Sequence, residues 1–210
     1  MTELRVTAAV VDAVVKIGGG VLEDIEAFDA ALSAVAGAAR SQNLLIVPGG
    51  GPFADAVRAM DRRLGLSDTT AHWMAVLAMD QCAHLIAERL AGARFVQEPS
   101  EISTAISADR VPVLAPSRWL RETDPLPHSW DVTSDSIAAW VAGCLGAHRL
   151  VLVKPRGVDE AGAAAGAAVD LYFARALPAG VRATIVPADR LDALRTALLP
   201  TVEDTRRATL

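Results

Sequence analysis

Two runs of three glycines constrain this chain more than any other feature, because each closes a short β-branched segment and precedes a helical one. Residues 10–16 (VVDAVVK) read as a buried strand that stops at Gly18, Gly19 and Gly20. Residues 24–40 then carry apolar side chains at helical spacing, among them Ile25, Phe28, Leu32 and Val35. Residues 44–47 form a second strand, ended by Pro48-Gly49-Gly50-Gly51. Residues 52–64 follow as a second helix, with Pro52 suited to a first helical position. Strand, helix, strand, helix within 64 residues predicts a parallel sheet covered by helices.

The remaining elements extend that pattern. Residues 69–90 form a long helix with apolar side chains on more than one face, which predicts deep burial or a subunit interface. Residues 111–115 form a strand, and 116–130, with three prolines, read as irregular. Ser134 is placed to cap a helix over 135–145, and 150–154 form a strand that ends in lysine. A Gly/Ala-rich loop or hairpin over 158–168, a strand over 183–186, a helix over 191–199 and a frayed tail over 203–210 complete the chain. No internal repeat and no linker divides these 210 residues, so one α/β domain is expected.

Composition narrows the function. At 52% hydrophobic and 21% charged residues the chain can bury a sizeable core. A net charge of −5 argues against a broad nucleic-acid surface but leaves room for a local cationic pocket. No segment reaches the roughly 18 uncharged apolar residues of a membrane span, and no signal peptide is visible, so a cytoplasmic location is expected. Cys82 and Cys144 lack metal-ligand spacing and are expected as two buried free thiols.

Four constellations carry chemistry. In Lys16-Ile17-Gly18-Gly19-Gly20, small residues after a strand let backbone N–H groups approach an anion, and Lys16 adds a point charge. The lysine precedes the glycines, so this is not a GxxxxGK[ST] loop. Pro48 to Phe53 joins a strand to a helix start, where unpaired N–H groups and the helix dipole favour phosphate. Either turn alone is equally a tight turn without ligand. Two of them on successive parallel strands share the edge where open α/β sheets bind ligands. In SWDVTSDS (129–136), Asp131 and Asp135 flank a helix start, where a carboxylate also serves the dipole alone. The functional reading has Asp135 orient one or two lysines, while Thr133 and Ser134 cap the helix or touch substrate. In VKPRGVD (153–159), Lys154 ends a strand as Lys16 does; it is either a solvated terminus or half of a clamp across two phosphates.

The order KIGGG, LIVPGGGPFADAVR, TSDSIAAWVA, LVLVKPRGVD resembles the amino acid kinase superfamily over most of the chain. Within it, SWDVTSDSIAAW and LVKPRGVD are most similar to the short furanmethyl phosphate kinases of methanofuran and methylofuran synthesis. The resemblance implies a three-layer αβα sandwich with a mainly parallel sheet, and ATP as phosphoryl donor with Mg2+ held mainly by its phosphates. It implies Lys16, Asp135 and Lys154 as catalytic residues, and Lys16, Gly18, Gly19, Lys154 and Gly157 on the ATP side. Gly49, Gly50 and Gly51 fall on the acceptor side, and Trp130, Thr133 and Ser134 are assigned with them. Residues 1–148 would hold the acceptor and phosphates, and 149–210 the nucleotide. Many members carry a longer C-terminal half with a TDVDGVY-like segment; here VKPRGVDEAG stands there, so a reduced nucleotide lobe is expected. The resemblance also implies a homo-oligomer.

Acceptor specificity is expected between residues 116 and 130 and on the helix from Thr69. Trp73, Trp119 and Trp130 can wall a furan ring, although core packing is favoured for Trp73 and Trp140. His72, His84, His128 and His148 have no sequence partner, and His128 beside SWD is the one to test. Two other readings remain open: a non-catalytic nucleotide- or oxyanion-binding protein of the storage type, and a carboxylate kinase.

Overall fold

The computed structural model describes residues 11–158 and 168–200. In chain order the elements are β1 (Ala13–Ile17), a 3-10 turn (Gly19–Glu23), α1 (Ile25–Ala38), β2 (Leu44–Pro48), α2 (Gly51–Leu64) and α3 (Asp68–Arg89). They continue with β3 (Ala93–Val96), α4 (Pro99–Ser107), β4 (Val111–Leu114), α5 (Ser117–Thr123), α6 (Ser134–Cys144) and β5 (Arg149–Lys154). The described chain ends with α7 (Phe173–Ala176), β6 (Arg182–Pro187) and α8 (Leu191–Ala197).

Six parallel strands form one sheet in the order β3-β4-β2-β1-β5-β6. The five residues of β1 are fully buried, as the strand lies between β2 and β5. Helices cover both faces, giving the expected three layers. Val14, Leu150 and Leu152 enter one core with Ile137, Ala138 and Val141 of α6. Val15, Ile17, Val151 and Val153 enter the other with Phe28 and Leu32 of α1 and Leu194 of α8. The period-two alternation of a strand therefore sends Lys16 and Lys154 to the same face, the one α6 covers.

Several expectations are corrected. The first strand begins at Ala13 and runs through Ile17. Asp24 lies outside α1 as its cap, its carboxylate accepting from the Ala27 N–H at 3.0 Å. The 116–130 stretch contains α5, because Pro116, Pro125 and Pro127 flank that helix and leave its interior free of proline. β3, α4 and α7 were absent from the sequence reading. α6 begins one residue earlier than expected, with Thr133 as its cap position and no capping bond from that side chain. Cys82 is buried on α3, but Cys144 is exposed at the end of α6. The predicted loop over 158–168 and the tail over 203–210 fall largely or wholly outside the described residues. Among the described residues no helix is long and apolar enough to cross a membrane.

Candidate active site

The chain leaves β1 toward β2 on one side and returns at β5 on the other, so the strand order reverses between β1 and β5. Ligands of open α/β sheets bind beyond the carboxyl ends of the strands at such a reversal. Lys16 and Lys154 stand there, near the ends of the two strands. Between them, in the first turn of α6, lies Asp135. Its Oδ1 is 2.9 Å from the Lys16 ammonium and its Oδ2 2.6 Å from that of Lys154. All three residues are at least nine-tenths buried.

Two ammonium groups against one carboxylate leave an excess positive charge. Burial alone would raise the Asp135 carboxyl, but Lys16 and then Lys154 outweigh it and hold the group below the ordinary carboxylate range. Burial and the neighbouring Lys16 push Lys154 below its ordinary value, against the pull of Asp135 and Asp170. Lys16 and Lys154 are also the only lysines in the sequence; its other cationic side chains are arginines. A compact ammonium on a flexible stem fits so closed a site, and a planar guanidinium does not replace it there.

The two glycine turns abut each other and line one cavity with this triad. A Cβ on Gly19 would lie 2.2 Å from the amide nitrogen of Gly51, and one on Gly49 2.4 Å from that of Gly19. Gly51 itself adopts φ +52, a conformation that side chains disfavour. The Gly18 amide donates to the Val153 carbonyl at 2.8 Å and the Gly49 amide to Ile17 at 2.7 Å. These two glycines therefore contribute close approach rather than donors. The donors are at the helix start, where the Gly51 and Phe53 amides open α2 without intrahelical carbonyl partners and Pro52 has no N–H to contribute.

Gly19→Ala is expected to destabilise the fold by about 1–3 kcal/mol, since its methyl group meets immovable backbone. It should abolish phosphate binding as well. Gly157→Ala, at φ +84 with open space around it, should cost only the backbone strain of about 1–2 kcal/mol. Urea denaturation and calorimetric titration with ATP check both; normal binding by Gly19→Ala would show that the turns do not cradle the ligand.

A cavity of about 230 Å³ opens from the triad, lined by both turns, α2, α3 and the segment before α6. Of the expected substrate-side residues, Gly50, Gly51, Trp130, Thr133 and Ser134 line it. Gly49 is buried and does not line it, and Gly157 sits in an exposed turn away from the cavity lining. The Thr133 hydroxyl is committed to Asp170 at 2.8 Å. The aromatic wall is a single residue. Trp119 packs on Trp140 in the core with ring centroids 4.8 Å apart, and Trp73 lies between His128 and Arg121. Only Trp130 faces the cavity, its indole N–H donating to Asp61 at 2.7 Å and its ring lying 4.8 Å from the Arg58 guanidinium.

The structure adds residues that the sequence reading missed. Ala54, Asp55 and Arg58 share the inner face of α2 with Gly51, and Asp68, Ala71, His72, Ala75 and Met79 share that of α3. Both sets fall at helical spacing, so this signal was present in the sequence. His72 is buried and stacks on His128 at 4.4 Å. Burial, then His128, lower it to about 4 against the opposing effect of Asp124, so it offers the cavity a neutral imidazole. His128 is held by Thr69 at 3.0 Å and Asp124 at 2.9 Å and does not line the cavity.

A buried lysine–aspartate–lysine triad under two abutting glycine turns can hold two phosphate groups and neutralise charge passing between them. The model of the amino acid kinase family matches residues 13–156. The chain belongs to that family. A (5-(aminomethyl)furan-3-yl)methyl phosphate kinase from Methanocaldococcus jannaschii is 30% identical over 141 residues, covering 66% of this chain and 63% of that one. The match thus spans less than two thirds of that relative. The UMP kinase structure from Ureaplasma parvum superposes with a TM-score of 0.63 at 15% identity, over 88% of this chain and 92% of that one. The uridylate kinase structure from Archaeoglobus fulgidus gives 0.53 at 21% identity, over 68% and 62%. These likenesses show the amino acid kinase fold.

Proposed function

We propose that this amino acid kinase family member transfers the γ-phosphoryl group of ATP to a small phosphate monoester, a furanmethyl phosphate, making the diphosphate for methanofuran- or methylofuran-type cofactor synthesis. The observation that carries this reading is the Lys16–Asp135–Lys154 triad beneath two glycine turns in backbone contact. It is supported by the 30% identity to a kinase whose name specifies a furan, a phosphate ester and an amine.

On this reading ATP places its phosphates over the Gly18–Gly19 turn, with Mg2+ carried on them, and the acceptor phosphate sits over the Gly50–Gly51 start of α2. The contact between the turns sets the two phosphates side by side for in-line transfer. Lys16 neutralises the transferred group, Lys154 balances charge on the donor side, and Asp135 fixes the separation of both ammonium groups. An acceptor phosphate is already anionic and nucleophilic at neutral pH, so no general base is needed. Trp130, braced by Asp61 and Arg58, offers one flat wall to the ring. Residues 1–148 supply the acceptor side and the triad's first two members, and the part from 149 onward the nucleotide side. A homo-oligomer fits the exposed Phe53, Met60 and Leu64 of α2 and Leu77 and Leu85 of α3.

A screen for ADP release with ATP-Mg and a panel of acceptors tests the reading. Phosphate monoesters, led by (5-(aminomethyl)furan-3-yl)methyl phosphate, should support turnover. Activity confined to carboxylates would replace it with a carboxylate kinase. Tight ATP binding without turnover on any acceptor would replace it with a nucleotide-binding protein.

A further inference from the structure

We propose that Asp170 is a positioning residue, whose carboxylate locks the first turn of α6 and thereby holds Asp135 between the two lysines. The proposal rests on reading the triad as the phosphoryl-transfer centre. Asp170 Oδ2 accepts from the Thr133 N–H at 2.8 Å, the Thr133 hydroxyl at 2.8 Å and the Ser136 N–H at 3.0 Å. Its Oδ1 accepts from the Ser136 hydroxyl. These four bonds clamp residues on both sides of Asp135, within a single helical turn. α6 makes no side-chain capping bond of its own, and Ser136 is fully buried. A second tie, the Tyr172 N–H donating to the Asp131 carbonyl at 3.0 Å, fixes the same two segments to each other.

This carboxylate does more than cap a helix, because its charge also reaches Lys154. Lys154 is faced by Lys16 from β1, Asp135 from α6 and Asp170 from the segment before α7. Two cations and two anions then nearly balance. Without the Asp170 charge the excess is positive, and Lys154 gives up its proton at lower pH. The residue therefore sets both where Asp135 sits and the pH range over which Lys154 stays charged.

Asp170→Asn is expected to lower kcat by about ten- to a hundredfold with KM for both substrates within about threefold, the scale of loss of a supporting contact. The alkaline limb of its kcat profile should move to lower pH. Asp170→Glu keeps the charge but displaces the turn, so its kcat should fall while the alkaline limb stays in place. A helix cap with no further role would lower the melting temperature of Asp170→Asn and leave kcat, KM and the limb as in the wild type, which would overturn the proposal. A readout free of turnover separates this from the kinase reading itself. With 13Cε-lysine labelling the chain gives only two side-chain signals, from Lys16 and Lys154. In Asp170→Asn the Lys154 signal should titrate at lower pH than in the wild type, whether or not any acceptor is turned over. Coincident titration curves would refute the coupling.

Discussion

Asp135→Asn is expected to destabilise the protein by about 3–5 kcal/mol, the cost of removing one partner from a buried ion pair. It deletes the carboxylate that bridges two ammonium groups that are 4% and 8% exposed. Against a typical total of about 5–15 kcal/mol, that is a large share. The loss has a pH signature. Lys154 already titrates below its ordinary value because of burial and Lys16, and losing Asp135 lowers it further. A lysine with a depressed folded-state pKa binds fewer protons folded than unfolded. Stability therefore rises with pH from the folded value up to the unfolded one near 10.4. Urea unfolding at pH 7 and pH 9.5 should show Asp135→Asn recovering more stability than the wild type over that interval. In the wild type the Asp135 contribution itself is present above the unfolded carboxylate value and is lost as pH falls through its depressed folded value. A variant as stable as the wild type at pH 7 would mean that the two ammonium groups do not face each other there.

Lys16→Met should do the opposite: a large loss of turnover with little loss of stability. Removing one ammonium leaves Asp135 paired one-to-one with Lys154 and takes away the like charge that opposes protonation of Lys154. The melting temperature should stay within a few degrees, the scale of about 1 kcal/mol. Turnover should fall by about a thousandfold or more, as when a single preorganised charge is removed from a transition state. Lys16→Arg should not restore it, since a planar fork cannot occupy the space of an ammonium beneath two touching glycine turns. Steady-state kinetics with the acceptor found in the screen measures the loss. Near-wild-type kcat in Lys16→Met would remove the lysine from the mechanism.

The site was legible where its signals are local. Strand ends, glycine punctuation and a helix start put Lys16, Asp135 and Lys154 at element ends, and the parallel order brings those ends together. β3 escaped because it is a four-residue edge strand with Arg94 inside it and only Val96 buried. α5 escaped because prolines on its two flanks look, in sequence, like prolines within it. Asp170 carried no local signal: its partners lie 34 and 37 residues upstream, across a stretch of chain that includes all of β5. Thr133 was assigned to cap or substrate from its neighbourhood, whereas its hydroxyl is drawn to a carboxylate from another segment. The two-lysine count was the strongest unused signal, since it marks both lysines of the triad without reference to motif.

On the proposed function, two phosphates meet at the Lys16–Asp135–Lys154 triad and the phosphoryl group passes between them. Phosphorus NMR of the enzyme with ATP-Mg and (5-(aminomethyl)furan-3-yl)methyl phosphate reads this directly. The acceptor's phosphate singlet should be replaced by two mutually coupled doublets of a new diphosphate, in step with the conversion of ATP to ADP. ADP appearing with free inorganic phosphate and an unchanged acceptor signal would contradict it.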